Sequence, residues 1–182
     1  MKMTIKPALL TCIAVGLSAC GGGGGGSTAD LAMRLSALTT DFGSTPYTPE
    51  VNMQTGSASY TGVANIGFGT GAGMRDGAYG ELSVNVNFAA DTLSGSASNF
   101  QFYDQTAASG SMTISNGVLT GTNGVSIGSG LTADATGVVA GNTLNMDVEG
   151  HFSGAGAEAM FLYLDSKSSS DTALGVGIAV KD

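Results

Sequence analysis

The chain has 182 residues, 42% of them hydrophobic and only 11% charged, which is enough apolar material for one packed domain with attachments. Thirty glycines exclude a mainly helical protein, since each costs about 1 kcal/mol relative to alanine inside a helix, and three prolines are too few for a collagen-like or proline-rich chain. A formal net charge of −8 lacks the basic footprint that nucleic acid requires, so no nucleic-acid partner is expected.

The chain opens with a short segment carrying Lys2 and Lys6, followed by an apolar run over 7–17 and the small residues Ser18 and Ala19 before Cys20. That order describes a secretory signal. The run is too short to span a bilayer, which takes about twenty apolar residues. Leu17-Ser18-Ala19-Cys20 resembles the lipobox of bacterial lipoproteins. The resemblance implies that 1–19 is a signal peptide, that Cys20 is acylated, and that cleavage falls just before it. Gly21 stands where lipoproteins retained in the inner membrane often carry aspartate, so the resemblance implies a lipid anchor in the outer membrane, at the cell surface. Six glycines then fill 21–26, and 20–27 reads as a flexible tether. Cys12 lies in the segment to be removed, so no disulfide framework is expected. Removal of Lys2 and Lys6 leaves Arg34, Arg75, Lys167 and Lys181 as the cationic side chains. Such an acidic surface suits solubility or a basic partner.

A short helix and linker are expected over 28–55. Leu31, Leu35 and Leu38 recur at helical spacing, Thr28 can cap the start, and Pro46 and Pro49 prevent continuation. From 56 to 182 the period becomes two. Leu82, Val84, Val86 and Phe88 alternate with Ser83, Asn85 and Asn87; Leu144, Met146, Val148 and Phe152 alternate with Asn145, Asp147, Glu149 and His151. Strands are expected over 57–68, 80–89, 92–103, 109–116, 118–127, 131–140, 143–153, 160–166 and 173–180. Turn signals separate them at Ala90-Asp91, Asn116-Gly117, Asn123-Gly124 and Gly141-Asn142. Short strands joined by tight turns predict an all-β domain, a small antiparallel up-and-down β-barrel of about eight strands. The abundance of Gly, Ala and Val and the lack of tryptophan predict a narrow, filled barrel.

Chemistry is sparse. Gly124-Val125-Ser126-Ile127-Gly128 has the spacing of a nucleophile elbow, but a turn and another strand follow where a helix is required. The glycine-rich loop 69–73 has neither the spacing nor the helix of a phosphate cradle. Asp147, Glu149 and His151 share one strand face at about 6.5–7 Å intervals, and neighbours on one strand rarely converge on an ion without ligands from another strand. No metal, cofactor or enzymatic activity is expected, and His151 reads as polar surface. Phe100 and Phe102 share the parity of Ser94, Ser96 and Ser98. They are either exposed aromatics, natural interface anchors, or the sign of a bulge that resets the phase. With Tyr103, and with Met74 and Arg75 at the edge of a loop, they form the candidate binding set.

Three stretches carry a family resemblance: Cys20 with its glycine run, Leu93-Ser94-Gly95-Ser96-Ala97, and the ten residues 150–159. In the last, Gly150, Phe152, Gly154 and Ala157 match the GxFxGxxA signature of the β-barrel domain of transferrin-binding-protein-B-like surface lipoproteins. Met160-Phe161 replaces the double glycine that often follows. The resemblance spans about 56–182 and implies a single-barrel, monomeric form that captures a protein or nutrient carrier. The haem-capturing members extend that expectation to a haem-type small ligand, with His151 as its candidate contact, and a purely structural envelope role is the remaining reading.

Overall fold

A computed structural model describes residues 28–48, 55–69, 76–120, 130–168 and 173–182. The signal-like segment, Cys20, the glycine run, Met74, Arg75 and 124–128 lie outside the described residues. One helix, α1 (Thr28–Phe42), precedes β1 (Ser57–Phe68), β2 (Gly77–Asn87), β3 (Thr92–Phe102), β4 (Gly110–Thr120), β5 (Gly130–Val139), β6 (Asn142–Ser153), β7 (Ala159–Ser166) and β8 (Ala173–Lys181). Each strand pairs antiparallel with the next, and β8 returns to β1, closing an eight-stranded up-and-down barrel. No helix among the described residues is long and apolar enough to cross a membrane.

The alternation expected of β2 and β6 is present: Leu82, Val84 and Val86, and Leu144, Met146 and Val148, point inward and are buried. The barrel has eight strands, in line with expectation, but one expected strand boundary is absent. Asn116-Gly117 is not a hairpin turn but a bulge inside β4. Asn116 sits at φ 53°, and the register on β5 slips between Ser115 and Val118. Asparagine tolerates the left-handed region that such a bulge needs, so the same dipeptide signals either feature. The β5–β6 turn also differs by one residue: its two loop residues are Ala140 and Gly141, both at positive φ, as in a type I′ turn.

A second bulge lies in β3. Ser98 pairs with Glu81 and Gln101 with Tyr79, so Asn99 and Phe100 together oppose Gly80. Asn99, at φ 53°, shifts the phase by one, and the Phe100 ring turns into the barrel over Gly80. A narrow barrel has room for that ring only because Gly80 lacks a side chain.

Tyr60, Phe88 and Phe152 fill one end of the interior, with Phe152 centred 5.8 Å from Tyr60 and 5.5 Å from Phe88. The Tyr60 hydroxyl donates to the Ala157 carbonyl at 2.7 Å, pinning the β6–β7 turn across that end. A strap over 46–48 lies on the same turn. Thr48 donates from its backbone to Phe152 and from Oγ1 to Gly154, and Gly154 donates back to Pro46. The GxFxGxxA residues thus work as an end plug. Helix α1 ends as Gly43 donates to Thr39, and Pro46 follows. It packs on β1, β2 and β8. Leu31 is buried there, as are Val63 and Ile178, which point out of the barrel, and burying one such side chain contributes about 2 kcal/mol.

Two outcomes follow. Gly80→Ala places a Cβ 2.5 Å from the edge of the buried Phe100 ring and should destabilise the domain by about 1–3 kcal/mol in urea unfolding. Burial pushes the Tyr60 phenol up to about 12, so the folded chain holds its proton longer than the unfolded chain, and stability should fall as pH rises from about 10 to 12. Tyr60→Phe should cost about 1–2 kcal/mol at neutral pH and flatten that alkaline limb.

Candidate functional site

The five residues of the binding set part company in the fold. Phe100 is 1% exposed and Phe102 packs against the core, so the bulge, not an exposed aromatic pair, accounts for their parity. Tyr103 lies on the outer wall, half-buried across Gly77, with its hydroxyl donating to Asn65 at 2.6 Å and its ring 5.1 Å from Tyr79. Burial, foremost, raises its phenol above the ordinary range. Met74 and Arg75 lie outside the described residues.

Register brings together a different set on the outer wall. His151 of β6 stands directly across from Phe161 of β7; one step along, Glu149 faces Tyr163, which faces Val176 of β8; the next step aligns Asp147, Asp165 and Leu174. The His151 ring stacks on Phe161 at 5.1 Å and 11°, meets Tyr47 of the strap edge-on at 4.3 Å, and lies 6.1 Å from Tyr163. It is therefore not the lone polar residue the sequence suggests. Tyr47, Tyr163, Val176 and Leu174 remain 45%, 50%, 40% and 61% exposed. Helix α1 shelters Val63 and Ile178 beside them but leaves these four open to solvent.

A row of carboxylates borders this wall. Asp134 of β5, Asp147 of β6 and Asp165 of β7 lie directly across adjacent strands. Lys167 bridges the first two, at 3.3 Å from Asp147, and Asn116 of the β4 bulge donates to Asp134 at 2.7 Å. The hydrogen bond from Lys167, then that from Asn116, holds the Asp134 carboxyl below the usual range, and the Lys167 ammonium is raised in turn. Asp147, Glu149 and His151 share the outer face as expected, and among the described residues no group of three histidines, cysteines or carboxylates is placed to hold a metal ion. Two shallow troughs of mixed polar and apolar lining are also present. One of about 340 Å³ lies along Ser59, Asn85, Asn87 and Ser94, the other of about 290 Å³ along Arg34, Thr61, Glu81 and Ser98.

No protein-family model and no curated protein matches the chain. Among solved structures the fold matches crystal structures of the vaccine antigen transferrin binding protein B from Haemophilus parasuis Hp5. A single-substitution mutant superposes with a TM-score of 0.50 at 16% identity, covering 75% of this chain and 28% of that one. A double mutant gives 0.48 at 16%, covering 74% and 27%. The chain spans under a third of those proteins, and what it shares with them is the fold.

Burial holds the His151 imidazole below the ordinary histidine range. The unfolded chain therefore takes up a proton first as pH falls, and stability drops from about pH 6.5 downward until the folded imidazole is also charged. This is the chain's one histidine, so His151→Phe should flatten the thermal midpoint between about pH 7 and 5 while keeping the stack on Phe161. An unaltered slope would assign the acid sensitivity to the carboxylates.

Proposed function

We propose that the chain is an outer-membrane lipoprotein, anchored through acylated Cys20, whose barrel binds a macromolecular partner or nutrient carrier at the cell surface. The observation that carries the binding reading is the apolar outer wall around Tyr163, Val176 and Leu174. An exposed tyrosine set beside exposed valine and leucine side chains is the kind of surface on which protein contacts are anchored. A likeness in fold to a protein named for binding transferrin supports the same direction, without carrying transferrin itself across. The interior supports it as well: Tyr60, Phe88, Phe100, Met112 and Phe152 occupy the space in which a lipocalin-like barrel would hold a small ligand. The lipobox-like segment and glycine run support the anchor, and a tether of that length would keep the domain within about 30 Å of the bilayer.

Protease treatment of intact cells, followed by immunoblotting, tests location, with a photo-crosslinking side chain placed at position 163 to report contact. The protein should be lost while a periplasmic marker survives, and the crosslinker should give a discrete adduct that the same probe at Thr136 does not. Survival until the outer membrane is opened would make the chain a periplasm-facing envelope component. Cys20→Ser should abolish labelling by palmitate and release the domain from the membrane fraction.

A further inference from the structure

The wall carries charge information as well as apolar area. Glu149 sits between His151 and Asp147 on β6 and faces Tyr163, while Asp165 lies between Asp147 and Leu174. Lys167 neutralises Asp134 and Asp147 and is the one cation among the described residues ion-paired there. Glu149 and Asp165 make no ion pair among the described residues, and both are exposed. The open aromatic surface is thus rimmed by unneutralised carboxylates on a chain whose net charge is already −8.

That combination selects among occupants. A second copy would bring the same carboxylates against this rim, and like charges in juxtaposition oppose such a contact. An anionic lipid surface meets the same repulsion. A basic polypeptide is complementary on both counts. A guanidinium can lie on the face of Tyr163 while it pairs with Glu149 beside it, a geometry in which cation–π attraction and a charge-assisted hydrogen bond act together. Apolar neighbours on the same segment would cover Val176 and Leu174. The spacing agrees with an extended segment: same-face residues of a β-strand repeat at about 6.5–7 Å, as do Asp147 and Glu149 along β6.

We propose that the outer wall of β6–β8, centred on Tyr163 and edged by Glu149 and Asp165, docks a basic, partly apolar polypeptide segment of a partner protein. This rests on the protein-binding reading above and adds to it the face and the chemistry of the partner.

The test is NMR titration of the chain from Cys20 to Asp182 with three probes: a short peptide alternating arginine with leucine, its glutamate-for-arginine counterpart, and anionic phospholipid vesicles. The arginine peptide should shift the signals of Tyr163, Val176 and Leu174, and its affinity should fall several-fold between about 0.05 and 0.3 M salt. Glu149→Gln with Asp165→Asn should weaken it about tenfold without lowering the thermal midpoint, and Tyr163→Ala should weaken it at least as much in a domain whose remaining signals keep their folded dispersion. Equal binding of the glutamate peptide would overturn the electrostatic assignment, and shifts produced by the vesicles would make the wall a membrane-facing surface instead. Shifts confined to the loops at either barrel end, or no shifts at all, would also refute the wall. Cell-surface exposure would then still stand or fall by the protease experiment on intact cells, so the two failures are told apart.

Discussion

Closure of the sheet is the constraint on which the rest of the molecule depends. Nine consecutive residue pairs, from Tyr60 with Lys181 to Phe68 with Ala173, join the last strand to the first and leave no free edge. A barrel of eight strands encloses a space just wide enough for side chains. Every inward position must therefore fit its neighbours across the axis, which is why Gly175 and Gly177 of β8 face the leucines of β7 and Gly80 faces Phe100. Closure also decides how a partner can bind. With no open edge, an extended peptide cannot join the sheet by backbone hydrogen bonding, the mode that edge-strand receptors use. Recognition has to come from side chains on the outer wall or from the loops.

The two bulges reconcile a closed, regular sheet with side chains of uneven size. Asn99 sends Phe100 and Phe102 inward, where the strict alternation of β3 would have left them in water. Asn116 performs the equivalent shift in β4, and its freed side chain reaches Asp134 and steadies the carboxylate row. A distortion made for packing thereby reaches the electrostatics of the wall. On the far side of that wall the strap over 46–48 ties the helix to the β6–β7 turn, and the same strap delivers Tyr47 to His151.

The architecture was legible wherever alternation was clean. β2 and β6 announce both their faces in their sequence, and the change of period after the linker announces the barrel. What was not legible followed from physics that the local sequence does not carry. Asn-Gly satisfies positive φ in a hairpin and in a bulge alike, so β4 reads as two strands. β8, built from Ala173-Leu174-Gly175-Val176-Gly177-Ile178, hides its faces because glycine sits where large inward residues would mark them. The wall itself is a product of register: Tyr47, His151, Tyr163 and Leu174 come from four separate segments, and nothing within any one of them signals the others. Parity placed His151 on the outer face, but its aromatic neighbours required the pairing of β6 with β7.

Two features of the wall work against the stability of the isolated chain. Tyr163, Val176 and Leu174 leave apolar area in water, and Asp134, Asp147 and Asp165 place like charges directly across strands, an arrangement that cross-strand pairing disfavours. Each has a ready local remedy that the chain uses elsewhere. Helix α1 covers Val63 and Ile178, one row away, and Lys167 bridges two of the three aspartates. The remedies stop at a boundary: the helix covers Ile178 but not Val176, and Lys167 reaches Asp147 but makes no pair with Asp165. Uncovered apolar area and unneutralised charge therefore coincide on one face. A partner that is both apolar and basic removes the two penalties in a single contact, and that economy gives the wall a physical reason to remain as it is.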